Sequence, residues 1–265
     1  MNDASGAATF RIPADAYDRY IGRYGPELAR ALIAAAGVEA GETALDAGCG
    51  PGALTTELVR VLGAENVAAV DPSASFAEAC AARLPGVRVE VGAAEELPFE
   101  DAGVDFALAQ LVVNFMSDPV AGVEEMRRVT RPGGTVAAAV WDYAGEMTLL
   151  RRFWDAAAAL DPAAAELDEG RVMRFATPDE LGELWTWAGL DEVEVSAVDV
   201  SAGYTGFEDL WAPLESGVGP SGAYVASLPP DGRAAFKEEL KNRLAVADDE
   251  PFSLSARAWV VIGRV

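Results

Sequence analysis

The sequence predicts an α/β fold in which helices cover both faces of a parallel sheet. Five short apolar runs alternate with helical stretches along residues 43–141. The runs at 66–71 and 135–141 are apolar almost throughout, which is typical of central strands buried on both faces. A glycine-rich loop, LDAGCGPGAL at 45–54, follows the first run, and open parallel sheets bind ligands at the carboxyl ends of their strands.

The elements follow one another in a regular order. A first helix lies within 17–37 and ends at Gly37. Strands and helices then alternate along residues 43–141. Because strands that are joined through a helix run parallel, this alternation predicts one parallel sheet. Its strands are predicted at 43–47, 66–71, 87–92, 104–113 and 135–141. Its helices are predicted at 53–63 and 73–86, with a helix and turn over 119–134.

After Trp141 this alternation stops. The clearest helix spans 177–190, because Thr177 and Glu180 have the spacing of a capping box. Other helices are predicted at 148–161, 205–217 and 229–245, and strands at 192–200 and 252–265. We expect the acidic loop 161–170 to be mobile, since Leu167 is its one large apolar residue.

Composition limits the classes of function. The chain has 43 acidic and 20 basic residues and a net charge of −23, which disfavours nucleic acid or membrane as a partner. It contains no histidine, which excludes Ser-His triads, histidine bases and histidine-ligated metals. The two cysteines lack metal-ligand spacing. We expect no metal site, and the lack of a leader or a long apolar run predicts a cytoplasmic protein.

The glycine loop has the spacing Gly48-x-Gly50-x-Gly52. Dinucleotide sites accept alanine at the position of Ala53, so the spacing alone leaves two cofactor classes open. Asp71 ends the second strand and can accept both hydroxyls of a ribose in either class. Asp46 stands just before the glycines, where a carboxylate suits a cationic amino group better than a pyrophosphate.

Four segments together resemble class I S-adenosylmethionine-dependent methyltransferases. LDAGCGPG resembles their first motif, and AVDPS at 69–73 resembles the second. The segment 91–109 is similar to the adenine-binding segment of the ubiquinone/menaquinone-biosynthesis (type 11-like) group, and 126–142 to the turn into the fifth strand. The resemblance implies a three-layer, doubly wound, seven-stranded sheet, mostly parallel, with a last antiparallel strand and a helical cap. It places 252–263 beside 192–200, reached through a hairpin.

The resemblance implies a single domain with four parts. Residues 1–37 form a helical segment over the cofactor site, and 38–142 form the S-adenosylmethionine-binding core. Residues 143–190 and 201–250 form the cap, and 191–200 and 251–265 form the final strands.

The resemblance also assigns the cofactor site. S-adenosylmethionine is the expected cofactor and S-adenosylhomocysteine its product. The backbone at Ala94 would meet the adenine, but Ala93 stands where relatives often carry aspartate, a departure that Glu95 could compensate. The implied cofactor-binding residues are Asp46, Gly48, Cys49, Gly50, Gly52, Asp71, Pro72, Ala94, Glu95, Gln110, Tyr17 and Arg23.

The methyl acceptor should meet the residues that follow the fourth and fifth strands. We expect Asn114, Phe115 and Trp141 to contact it, within an apolar cap that favours a small organic acceptor. If a base is needed, the candidates are Asp142, Tyr143 and Glu146. Without histidine, activity should lack an inflection near pH 6.5.

The preferred function is a small-molecule methyltransferase acting on oxygen, nitrogen or carbon. A binding protein or cyclase-like enzyme that keeps the cofactor without transferring methyl is the alternative. A nicotinamide dehydrogenase is disfavoured by Asp46 and by the four motifs. Both a monomer and a homodimer remain open.

Overall fold

The computed structural model describes residues 14–265, with side chains from Tyr17 onward. Its seven strands form one sheet in the order β3-β2-β1-β4-β5-β7-β6. The strands are β1 (Ala44–Ala47), β2 (Val67–Asp71), β3 (Arg88–Val91), β4 (Val104–Gln110), β5 (Thr130–Trp141), β6 (Asp191–Tyr204) and β7 (Phe252–Arg264). The first five are parallel, and β7 runs antiparallel between β5 and β6. The predicted doubly wound, mostly parallel fold is confirmed.

Helices flank this sheet. Because right-handed crossovers leave β1 and β4 in opposite directions, their helices lie on opposite faces. The helices of the described residues are α1 (Ala14–Arg19), α2 (Gly25–Ala36), α3 (Ala53–Leu62), α4 (Ala74–Arg83), α5 (Pro119–Val129), α6 (Thr148–Leu160), α7 (Glu169–Val172), α8 (Pro178–Trp187), α9 (Phe207–Glu215), α10 (Gly219–Ser227) and α11 (Pro230–Leu244). None within residues 14–265 is long and apolar enough to cross a membrane.

The strand order reverses between β1 and β4. The chain moves from β1 outward through β2 to β3, and then returns to pair β4 with the other side of β1. The loops after β1 and β4 therefore diverge at the carboxyl edge of the sheet and leave a crevice between them.

The last two strands pair as expected, but no tight hairpin joins them. Val200 is paired with Ala256 in the β6–β7 ladder. Helices α9, α10 and α11 lie between these strands along the chain. Strand β6 also runs to Tyr204, four residues beyond its predicted end, because Tyr204 pairs with Phe252 and their rings stack at 5.1 Å.

Strand β5 begins earlier than predicted. A helix and turn were expected over 119–134, before a strand from 135, but the helix ends at Val129 and Thr130 already pairs with Val104. A Cβ on Gly134 would approach the Asp105 carbonyl oxygen to 2.5 Å, so glycine allows the close passage of β5 beside β4.

Polar contacts anchor the acidic segment 161–170. Leu167, its expected apolar anchor, is 53 % exposed. Asp161 and Asp168 instead accept backbone hydrogen bonds that begin a 3-10 turn and α7, and Asp168 forms an ion pair with Arg151. Glu169 is buried and accepts a hydrogen bond from Trp154 Nε1 at 3.0 Å. Carboxylates thus hold the segment against α6, and its low hydropathy gave no indication of these contacts.

The capping box that begins α8 is present as predicted, with Thr177 and Glu180 exchanging hydrogen bonds. This helix places Trp185 in the core, where its Nε1 donates to the Val136 carbonyl oxygen at 3.0 Å. Its ring also lies against Gly263 of β7, where a Cβ would approach Trp185 Cδ1 to 2.8 Å. Trp185 therefore joins α8 to both β5 and β7.

We expect Trp185→Phe to lower the free energy of unfolding by about 2 kcal/mol, through the lost hydrogen bond and the reduced ring volume. Urea unfolding followed by far-UV circular dichroism measures this. Trp187→Phe is the matched control, because Trp187 lies on the same helix and is 60 % exposed. Its effect should stay within about 0.5 kcal/mol, and equal losses in both variants would contradict the role given to Trp185.

Candidate functional site

A cavity of about 370 Å³ opens at the carboxyl ends of β1, β2 and β4. Its walls come from the glycine loop, the residues after β2, the segment before β4 and the turn after β4. They comprise Tyr17, Gly48, Gly50, Pro51, Asp71, Pro72, Ser73, Phe76, Ala93, Ala94, Glu95, Gln110, Leu111, Val112, Phe115, Met116 and Ser117. The cavity therefore occupies the crevice where the strand order reverses.

The glycine loop lies against the neighbouring strand. The backbone N–H groups of Gly48 and Cys49 both donate to the Val70 carbonyl oxygen, at 2.8 and 2.9 Å. Gly48 has a φ of +81°, and a Cβ there would approach Val112 Cγ2 to 2.5 Å. Gly50 has a φ of +52°, and a Cβ there would meet no atom within 4 Å. Gly48 is thus required by packing, whereas Gly50 leaves its backbone open to the cavity.

The Asp71 carboxylate connects this loop to the start of α4. Its Oδ2 accepts from the Gly50 N–H and its Oδ1 from the Ser73 N–H, both at 2.8 Å. Burial raises the pKa of Asp71, and these two hydrogen bonds oppose that shift. Each oxygen keeps a second acceptor position, so the carboxylate can still accept two hydroxyl groups from a molecule in the cavity.

Gln110 supplies a second acceptor to the cavity. Its Nε2 donates to the Gly25 carbonyl oxygen at 3.3 Å, whereas Oε1 is buried and has no hydrogen-bond partner within residues 14–265. Such an unsatisfied acceptor favours a ligand that donates hydrogen bonds.

Glu95 lines the cavity beside Ala93 and Ala94. Its Oε1 accepts from the backbone N–H groups of Ser117 at 2.7 Å and Asp118 at 3.3 Å. The carboxylate therefore fixes the turn that closes this end of the cavity. These two hydrogen bonds compete with any contact that Glu95 would make to an adenine in place of the aspartate missing at Ala93.

Asp46 lies outside the lining residues and is fully buried. The Thr55 hydroxyl donates to its Oδ2 at 2.6 Å, while Oδ1 has no partner in the described part of the chain. Burial raises the pKa of Asp46 to about 8, against the opposing effect of the Thr55 hydrogen bond. The structure thus places Asp46 behind the loop.

Three other expected cofactor residues also lie outside the cavity walls. Cys49 and Gly52 face the interior, where a Cβ on Gly52 would approach Cys80 Sγ to 3.0 Å. Arg23 forms an ion pair with Asp209, and its guanidinium lies 4.8 Å from the centre of the Tyr204 ring. Arg23 therefore contacts α9 and β6, because α9 offers it a carboxylate and β6 an aromatic face.

A second cavity, of about 50 Å³, adjoins the first and shares Tyr17, Leu111 and Phe115 with it. Trp141 and Tyr143, two residues expected to meet the acceptor or act as a base, line this second cavity. Its other walls comprise Tyr20, Ile21, Leu150, Glu169, Val218, Gly219, Pro220 and Ser221. No arginine or lysine among the described residues lines either cavity.

Three further candidates line neither of the two cavities. Asn114 Nδ2 donates to the carbonyl oxygens of Arg174 and Phe175, which ties the turn after β4 to the cap. Asp142 accepts from the backbone N–H groups of Gly145 and Glu146 and stabilises a turn. Glu146 is exposed. Of the three proposed bases, only Tyr143 reaches a cavity, and burial raises its pKa well above the usual value.

The buried polar groups in the second cavity could not be predicted from the sequence. Tyr20 and Ser221 lie 201 residues apart, yet their hydroxyl oxygens are 2.6 Å from each other. Glu169 stands in a segment whose other acidic residues are mostly exposed. A pattern in one sequence cannot separate one buried glutamate from its solvated neighbours, so tertiary contacts alone identify it.

Comparison with known proteins agrees with this geometry. Residues 45–138 match the protein family described as "Methyltransferase domain". An uncharacterised methyltransferase of Mycobacterium tuberculosis is 37% identical over 135 residues, covering 51% of this chain and 52% of the relative. A malonyl-[acyl-carrier protein] O-methyltransferase of Serratia marcescens is 30% identical over 142 residues, covering 51% and 55%. The chain thus spans about half the length of these relatives.

The fold also matches a solved structure. The Haemonchus contortus phosphoethanolamine N-methyltransferase 2, solved with phosphomonomethylethanolamine and S-adenosylhomocysteine, superimposes with a TM-score of 0.59. The two are 18% identical, and the match covers 95% of this chain and 56% of that one. Residues 45–138 thus match a methyltransferase domain, within a fold that is shared with a solved methyltransferase structure.

Proposed function

We propose that the protein binds S-adenosylmethionine in the larger cavity and transfers its methyl group to a small organic molecule. The observation that carries this proposal is the Asp71 carboxylate, which lines the cavity beside Gly50 and keeps acceptor capacity on both oxygens. A carboxylate in this position at the end of β2 suits the two hydroxyls of a ribose.

The remaining walls fit the other parts of this cofactor. The open space beside the Gly50 Cα and the unsatisfied Gln110 Oε1 suit the polar amino-acid end of the molecule. Pro72, Phe76 and Ala94 provide apolar surface for the adenine. When bound, S-adenosylmethionine would supply a methyl group activated by a positive sulfur. Among the described residues no arginine or lysine lines the cavity, which avoids repulsion of that charge.

The size of the adjoining cavity supports a small acceptor. Its volume of about 50 Å³ admits only a few non-hydrogen atoms. The names of the two methyltransferases compared above give a malonyl group on an acyl-carrier protein and a phosphoethanolamine as what they methylate. Only methyl transfer, and neither acceptor, is proposed for this chain.

Calorimetric titration with S-adenosylmethionine, S-adenosylhomocysteine and NAD tests the cofactor, and release of S-adenosylhomocysteine with a panel of acceptors tests transfer. We expect binding of the first two compounds and no binding of NAD. Binding without turnover on any acceptor would favour the alternative of a cofactor-binding protein, and binding of NAD alone would overturn the proposal.

Asp71→Ala should weaken S-adenosylmethionine binding by about 2 kcal/mol, or roughly thirtyfold, since it removes the charged acceptor of two hydroxyls. Calorimetry measures the affinity. Asp191→Ala is the control, because Asp191 is an exposed aspartate on β6, far along the sheet from β2. Unchanged affinity in Asp71→Ala would show that the ribose lies elsewhere.

Gly48→Ala should weaken cofactor binding at least tenfold, because its Cβ would displace Val112 from the cavity wall. Gly37→Ala is matched in backbone strain, with a φ of +74°, but its Cβ would meet no atom within 4 Å. We therefore expect Gly37→Ala to lose about 1 kcal/mol of stability and keep its affinity for the cofactor. Equal affinity in the two variants would contradict the role of the Val112 contact.

A further inference from the structure

Glu169 is the one charged side chain among the described residues that line the second cavity. It is 5 % exposed, and α7 places it opposite Tyr20 and Tyr143. A buried carboxylate is costly unless a cation or several donors satisfy it. The contacts of Glu169 therefore decide whether packing alone explains its presence.

Those contacts leave the carboxylate incompletely satisfied. Trp154 Nε1 donates to Oε2 at 3.0 Å, and no other described residue donates a hydrogen bond to the side chain. Arg151 lowers the pKa of Glu169 through its charge, but it forms its ion pair with Asp168. One carboxylate oxygen thus remains available to a molecule in the cavity.

The second cavity adjoins the larger cavity, so a group bound beside Glu169 would lie near the cofactor. Its lining shares Tyr17, Leu111 and Phe115 with the cavity proposed for the cofactor, so the two spaces are neighbours. Apart from Glu169, its polar groups are mainly tyrosine, tryptophan and serine side chains, with Tyr20 and Ser221 already hydrogen-bonded to each other. A group that donates a proton or carries positive charge would be accepted here, and a carboxylate would be repelled.

We propose that the second cavity binds the nucleophilic end of the methyl acceptor, that this nucleophile is an amine or a hydroxyl group, and that Glu169 receives its proton. The inference rests on the proposed function, because it takes S-adenosylmethionine as the methyl donor. It also separates this chain from relatives named for the O-methylation of a malonyl group, since no basic residue in the described lining would neutralise a carboxylate acceptor.

The step balances without another reactant. The lone pair of the acceptor nitrogen or oxygen forms a bond to the methyl carbon, and the carbon–sulfur bond breaks with its electrons passing to sulfur. The products are S-adenosylhomocysteine and the methylated acceptor. The proton from the nitrogen or oxygen passes to the Glu169 carboxylate, which later returns it to solvent.

Glu169 is suited to this task near neutral pH. Burial raises its pKa to about 7; Asp168 raises it further, whereas Trp154 and Arg151 lower it. Tyr17, Tyr20 and Tyr143, the tyrosines that line the same cavity, stay neutral because burial raises their pKa values. Because the base must be deprotonated, kcat should rise with pH through an inflection near 7. This revises the expectation that a chain without histidine lacks a titration in that range.

The test compares wild type with Glu169→Gln, and with Glu166→Gln as a control on an exposed glutamate of the same segment. The probes are ethylamine, benzylamine and phenol, with propionate and phenylacetate as the carboxylate counterparts of the two amines. Calorimetry on the S-adenosylhomocysteine complex measures probe binding, and product release measures kcat and KM between pH 5.5 and 9.

We expect wild type and Glu166→Gln to prefer each amine over its matched carboxylate at least tenfold in affinity. Glu169→Gln should lose this preference, lower kcat at least a hundredfold on accepted probes and lose the inflection near pH 7. An unchanged preference in Glu169→Gln, tighter binding of carboxylates by wild type, or no binding of any probe would overturn the inference. Failure of the proposed function is separate, because it would show as no binding of S-adenosylhomocysteine itself.

Discussion

The two hydrogen bonds accepted by the Asp71 carboxylate are the interaction on which the candidate site depends. They join Gly50, in the loop after β1, to Ser73, at the start of α4. Strand pairing brings these segments together, since Ala47 of β1 lies opposite Val70 of β2 and the Val70 carbonyl oxygen accepts from Gly48 and Cys49. The same carboxylate lines the larger cavity, so the contact that shapes the loop also presents a charged acceptor to a ligand.

The sequence was sufficient for the features that depend on local pattern. The five parallel strands follow from apolar runs separated by helices, and the start of α8 from the Thr177–Glu180 capping box. The glycine loop predicted a ligand site at the carboxyl edge of the sheet, and the cavity lies there. The four motifs predicted a methyltransferase, and residues 45–138 match a methyltransferase domain. The ubiquinone/menaquinone-biosynthesis subgroup stays a prediction.

What could not be predicted depends on contacts between residues far apart in sequence. The early start of β5 follows from the pairing of Thr130 with Val104, and the position of Arg23 from Asp209, 186 residues away. Glu169 is the clearest case, because only the packing of α7 against Trp154 distinguishes it from solvated acidic neighbours. Most of the aromatic residues after Trp141 pack against one another as core, and the acceptor cavity uses few of them.

A crystal structure of the protein with S-adenosylhomocysteine is the most direct test of the central claim. We expect the nucleoside to occupy the larger cavity, with both ribose hydroxyls donating to the Asp71 carboxylate while its hydrogen bonds to Gly50 and Ser73 persist. We also expect the sulfur to lie on the side of Tyr17, Leu111 and Phe115, toward the second cavity. A ribose bound away from Asp71, or a sulfur directed away from the second cavity, would contradict this placement of the cofactor.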